Sequence, residues 1–148
     1  MSAPTIHASA VLVGARAILI QGPSGSGKSR LAMALLDAAS AGLIPFARLV
    51  ADDRCHLETA HGRLLVRPAP VLAGLIEVRG LGIRRVPHEP VAVVGTIVDL
   101  GVPKTSRLPS DASRETVVGD VKLPRLAVAA GADPLPLVLA ALKADAQM

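Results

Sequence analysis

The chain has 148 residues, 51% hydrophobic and 19% charged, which suits one folded domain and rules out a disordered tail. Phe46 is its only aromatic residue, so the aromatic stacking platforms of single-strand nucleic-acid binders are excluded, and the net charge of +4 is scattered, with no basic run longer than Arg84-Arg85. The lone Cys55 excludes an internal disulfide, and no apolar stretch reaches the roughly 20 residues of a membrane helix. These features predict a cytoplasmic protein that binds neither nucleic acid nor membrane. The mean hydropathy of +0.49, high for a small chain without a membrane segment, predicts apolar surface buried in a homo-oligomer.

In chain order, residues 8–13 alternate and then become apolar, a strand turned by Gly14-Ala15-Arg16 into a second strand over 17–21. A glycine-rich loop covers 22–27. Strong helix formers fill 28–41, with Leu31, Leu35 and Ala38 or Ala39 on one face, and Gly42 stops the helix. A third strand over 48–51 ends in Asp52-Asp53. Residues 55–58 and 64–67 read as a hairpin around His61-Gly62, and Pro68 and Pro70 end it. A short helical turn is expected at 71–74. The 76–86 segment contains Gly80 and Gly82 and is too flexible for a plain strand. Residues 91–100 are the most β-branched run and predict a buried strand. A polar loop spans 101–114, an edge strand is expected over 117–123, and Pro134 opens a C-terminal helix to about Ala146.

Residues 22–29 read Gly-Pro-Ser-Gly-Ser-Gly-Lys-Ser, the full phosphate-loop pattern, entered by an apolar strand and left by a helix-forming run. The backbone of Gly22, Pro23, Ser24, Gly25, Ser26 and Gly27 can wrap with its N–H groups inward as an anion nest, and the helix adds the positive end of its dipole. Lys28 then places charge on the β- and γ-phosphates, and the Ser29 hydroxyl is a magnesium ligand. The strand-end pair Asp52-Asp53 reads as a magnesium and base site, one carboxylate for the metal and its neighbour for a proton, although an Asx turn at a strand end would read the same way. Glu77, in Ile-Glu-Val-Arg-Gly-Leu-Gly-Ile, sits where a loop could bring charge close to a ligand, although an exposed Glu–Arg pair would read the same way. His7, His56, His61 and His88 have no metal spacing. The acid pair follows Lys28 by one helix and one strand. The guanine-reading Asn-Lys-x-Asp segment of small GTPases is absent and the chain is too short for an ABC-type ATPase, which leaves small kinases with a compact core.

With these segments together the sequence resembles the catalytic domain of HPr kinase/phosphorylase over nearly all its length. The phosphate loop, Leu-Val-Ala-Asp-Asp at 49–53 and Ile-Glu-Val-Arg-Gly-Leu-Gly-Ile at 76–83 carry the resemblance, the last most specifically. His7 resembles the family's histidine opening the first strand, and Ser106-Arg107-Leu108 resembles a later step that supplies an active-site arginine. The resemblance implies an α/β fold, a P-loop core related to the phosphoenolpyruvate carboxykinase nucleotide-binding fold, in a single domain over 1–148. It implies a bacterial, cytoplasmic protein-serine kinase, assembled as a hexamer, that uses ATP and Mg²⁺ to phosphorylate the phosphocarrier HPr and can reverse this by phosphorolysis. Ser29 and Glu77 would hold Mg²⁺, Lys28 the phosphates, and Asp53 would be base and acid, with His7 and Arg107 completing the site. The sequence departs from the pattern in having no N-terminal domain, in Ala8 where Gly is usual, and in a basic loop abbreviated to Lys122-Leu-Pro-Arg125. The competing readings are a P-loop kinase of a small metabolite and a non-catalytic ATP-sensing module.

Overall fold

The computed structural model describes residues 4–103 and 114–146. Strands β1 (Ser9–Val13) and β2 (Arg16–Gln21) form an antiparallel hairpin turned at Gly14, whose φ of 64° suits a residue without Cβ. Helix α1 (Lys28–Ser40) follows. It buries Leu31, Ala32, Leu35 and Ala38, one stripe at helical spacing. Its end is a Schellman closure: Gly42 at φ 79° donates its N–H to Ala39 O at 3.1 Å, and Leu43 N–H donates to Ala38 O at 2.9 Å.

Strand β3 (Ala47–Ala51) pairs antiparallel with β1, not with β2. Two antiparallel steps make β3 run the same way as β2, with β1 inserted between them. The carboxyl ends of β2 and β3 and the amino end of β1 therefore meet at one edge of the sheet. That convergence places the glycine-rich loop, the acid pair and His7–Ser9 together.

Strands β4 (Cys55–Ala60) and β5 (Arg63–Pro68) form the expected hairpin, with His61 and Gly62 both at positive φ. The turn expected at 71–74 is a 3₁₀ turn at Pro70–Leu72. Residues 76–86 are not an irregular loop but a second hairpin, β6 (Leu75–Val78) and β7 (Gly82–Arg85), because Gly80 and Gly82 lie at and just after the turn, where φ of 89° and 90° is needed. The long β8 (Ala92–Val102) is parallel to β2 and to β10 (Val121–Ala129). The single edge strand expected at 117–123 is instead β9 (Glu115–Val118), a turn at Gly119-Asp120, and the start of β10; only β9 lies on the edge. Lys122 and Arg125 are strand residues of β10, not a loop. Helix α2 (Pro134–Ala146) follows the expected bounds.

The described strands make a mixed eight-stranded sheet with the path β3-β1-β2-β8-β10-β9 and the β4–β5 hairpin attached through β8, plus the two-stranded β6–β7. Apolar residues fill both faces. One cluster packs Leu19, Val50 and Ile97 against Leu64 and Val66 of the hairpin; the other packs Ile18, Ile20 and Val98 under Leu31 and Leu35 of α1 and Val138 of α2. This is a mixed α/β fold, as the sequence predicts. No described helix is long and apolar enough to cross a membrane.

Candidate active site

The loop at 22–27 needs its glycines for space and for backbone shape. A Cβ at Gly22 would lie 2.5 Å from Ser26 Oγ and 3.0 Å from Leu100 O, so a side chain cannot fit. Gly27, at φ 99°, is the left-handed N-cap of α1 and makes no side-chain cap. The first N–H groups of α1 thus have no capping side chain, which suits an anion. The Ser26 hydroxyl is buried without a hydrogen-bond partner. Lys28 Nζ donates to Gly22 O at 2.8 Å and Pro23 O at 3.2 Å, keeping the ammonium against the loop it would share with a phosphate.

Asp52 is the organising residue. It is 5% exposed at the end of β3. Its Oδ1 accepts from Ser29 Oγ at 2.6 Å and from Ser9 Oγ at 2.8 Å, and its Oδ2 accepts from the Glu77 N–H at 3.0 Å. One carboxylate therefore ties the start of α1, strand β1 and strand β6 together. Asp53 behaves differently. It is exposed, holds φ 69°, donates its N–H to Ser9 Oγ at 3.1 Å, and accepts at its carbonyl from the Ala8 N–H at 3.1 Å. A non-glycine residue in the left-handed region is uncommon. Here the flanking hydrogen bonds of its own N–H and carbonyl hold it there.

His7 is exposed and lies alongside the acid pair, since Ile6 and Cys55 exchange backbone hydrogen bonds on one side of it and Ala8 bonds Asp53 on the other. Glu77 is exposed on β6, next to Asp52 through its own backbone. Arg107 lies outside the described residues. Among the described residues the fold thus brings Lys28, Ser29, Asp52, Asp53, Glu77 and His7 to one sheet edge. The sequence reading missed Ser9. It is fully buried and bonded to both acids, and its one signal was a lone hydroxyl inside the apolar run Ala-Ser-Ala-Val.

The segment after β7 also reaches this region. Glu89 N–H donates to Leu49 O at 2.9 Å, and a Cβ on Gly74 would come 2.7 Å from His88 Nδ1. His88, read as part of a proline-rich loop, is thereby pinned against β6 and β3. Cys55, just past the acids, is fully buried, and burial pushes its thiol up to about 12.

The described residues contain no group of three or more His, Cys, Asp and Glu side chains placed for a metal ion. The oxygen set that is present, the Ser29 hydroxyl and the Asp52 carboxylate, suits a hard cation that keeps waters and phosphate oxygens as its remaining ligands. Such a site fits Mg²⁺ carried in with a polyphosphate rather than held in an all-protein cage.

Residues 2–89 match the model of the HPr serine kinase C-terminal domain. The HPr kinase/phosphorylase of Clostridium tetani is 43% identical over 70 residues, 47% of this chain and 21% of that one. The HPr kinase/phosphorylase of Mycoplasma mycoides is 27% identical over 139 residues, 84% of this chain and 42% of that one. The chain thus spans well under half the length of these relatives. The structure of the Hpr(Ser) kinase/phosphatase from Coxiella burnetii superimposes with a TM-score of 0.74 at 23% identity, covering 97% of this chain and 96% of that one, a likeness of fold. The matched segment carries the glycine-rich loop, both acids and the Glu77 strand that the sheet edge gathers, and this chain belongs to the HPr serine kinase C-terminal domain family.

Proposed function

We propose that residues 1–148 act as one catalytic domain, a P-loop core related to the phosphoenolpyruvate carboxykinase nucleotide-binding fold, that transfers the γ-phosphoryl group of ATP to a serine of the phosphocarrier HPr in the bacterial cytoplasm. The observation that carries this reading is the asymmetry of the acid pair. Asp52 is buried under three donors, whereas Asp53 is exposed beside it. A serine hydroxyl becomes a useful nucleophile only when its proton has an acceptor, and Asp53 is the member of the acid pair an incoming serine can reach. The serine oxygen forms the new bond to phosphorus, the bridging oxygen leaves with ADP, and the serine proton passes to Asp53.

Lys28 contributes positive charge at the phosphates, together with the loop amides. Ser29 and Asp52, with Glu77 nearby, would hold Mg²⁺, which when bound neutralises phosphate charge. His7 and Arg107 complete the site. The reverse reaction, phosphorolysis of phosphoserine-HPr to pyrophosphate, uses Asp53 as acid. A homo-oligomer, a hexamer by family resemblance, supplies the docking surface for a protein substrate.

The test is mass spectrometry of purified HPr after incubation with the protein and Mg-ATP. The expected result is one added phosphate on a serine, lost in a folded Lys28→Ala variant. Unmodified HPr, with a small metabolite phosphorylated instead, would overturn the reading.

A further inference from the structure

The residues discussed above occupy the β3 side of the phosphate loop. On its other flank the same loop borders a cavity of about 280 Å³. Its walls are Pro23–Ser26 of the loop, Leu100 and Gly101 near the end of β8, and the turn from Val128 to Pro134 that leads from β10 into α2. Among the described residues no charged side chain lines it, and the polar side chains that do are Ser24 and Ser26. Gly101, at φ 70°, keeps one wall low: a Cβ there would come 3.2 Å from Pro23 Cδ. The opposite wall is held in shape by its own backbone, with the Ala130 N–H donating to Val102 O at 2.9 Å and the Ala132 N–H to Ala129 O at 3.0 Å.

The two flanks are chemically opposite. The β3 flank holds Asp52, Asp53 and Glu77; on the β8–β10 flank the described residues lining the cavity are uncharged and largely apolar, with Asp133 in the same turn outside the lining. A polyphosphate lying across the loop has two different ends, and ligands in α/β sheets bind beyond the carboxyl ends of the strands. An apolar ring system loses least by entering the uncharged cavity, where it displaces water from apolar walls. The transferable phosphate is then left on the carboxylate side.

We infer that this cavity takes the nucleoside part of the phosphate donor, so that the chain of phosphates runs from the β8–β10 flank towards Asp53. The inference rests on the phosphate-donor reading above but fails separately from it, because pyrophosphate reports on the loop alone and ADP on loop plus cavity. The experiment is calorimetric titration, in the presence of Mg²⁺, of the wild-type chain and of the Ala130→Phe and Ala132→Phe variants, with ADP and with pyrophosphate. Both alanines are exposed at the cavity mouth, so a larger side chain can be carried without disturbing the core.

The wild-type chain should bind ADP more tightly than pyrophosphate. At least one variant should lose ADP affinity by about tenfold or more while its pyrophosphate affinity stays within about twofold. Equal binding of the two ligands by the wild-type chain, or ADP binding untouched in both variants, would overturn the assignment and leave the phosphate loop standing. Loss of both ligands together in both variants would make the cavity a support of the loop and overturn it as well. If neither ligand binds the wild-type chain, the phosphate-donor reading falls and the cavity assignment with it.

Discussion

Ser9, Asp52 and Asp53 show how much a single residue decides at this sheet edge. If Asp53 is the base, Asp53→Asn keeps the volume and nucleotide binding but removes the proton acceptor, and phosphorylation of HPr should fall by about 10²–10⁴-fold. If instead Asp52→Asn were inactive and Asp53→Asn active, with both variants folded, the roles would be reversed. Ser9→Ala should act on stability, because it leaves the Asp53 N–H without its acceptor and removes a donor from buried Asp52. The expected cost is about 1–3 kcal/mol, read from denaturant unfolding. A loss of activity with unchanged stability would instead make Ser9 part of the chemistry. Cys55 gives a dependence on pH. Its thiol lies at about 12 in the folded chain against 9.0 for the ordinary thiol. The raised folded value means that its contribution to stability is fully present below pH 9.0 and is lost as pH rises from there towards about 12. Unfolding measured at pH 8 and pH 10 should show a steeper loss in the wild-type chain than in Cys55→Ala, and parallel losses would contradict the burial argument.

At the scale of elements, the 75–85 segment is the most instructive. Glycine content alone argued against strands there, yet the glycines occupy the bend and the strands close around it. The hairpin does two things at once. Its inner strand places the Glu77 N–H on Asp52, and its outer part leaves Leu81 and Ile83 61% and 63% exposed. If the proposed homo-oligomer forms, apolar side chains so exposed on this hairpin would be its contact with a second copy, as the mean hydropathy predicts. The double change Leu81→Ser with Ile83→Ser should therefore lower the mass seen by light scattering while leaving the unfolding midpoint close to that of the parent. A parent chain that already runs as a 15.1 kDa monomer would remove the argument. Helix α1, by contrast, was legible almost to the residue, because its start needs a left-handed Gly27 and its stop a left-handed Gly42, both local requirements.

For the whole molecule, the direction favoured in the proposed reaction would depend on how charge is distributed around the site. Phosphorolysis must hold inorganic phosphate against a phosphoserine, and two unit charges about 4 Å apart repel by about 4 kcal/mol at an effective dielectric of about 20. The kinase direction accepts a neutral serine and faces no such repulsion. Arginines and Mg²⁺ must offset the repulsion. Arg79 and Arg107 are the arginines the sequence offers, and Arg107 lies outside the described residues. Of the abbreviated basic segment, Lys122 pairs with Glu115 at 2.8 Å and Arg125 with Asp99, both within the sheet. Phosphorylation of HPr should therefore be readily detected, while pyrophosphate release from phosphoserine-HPr is slow and requires millimolar phosphate. Release as fast as the forward reaction would show that these ion pairs do not hold the cations back. The sequence by itself determined the phosphate loop, the helix behind it, the strand-end acid pair and most strand positions, because each rests on backbone sterics or side-chain spacing within a few residues. Only the tertiary structure decided that β1 lies between β2 and β3, that Ser9 joins the two acids, and that a backbone N–H of β6 completes the Asp52 shell. Those contacts join residues 43, 44 and 25 positions apart, and a separation of that kind leaves no mark on local composition or period.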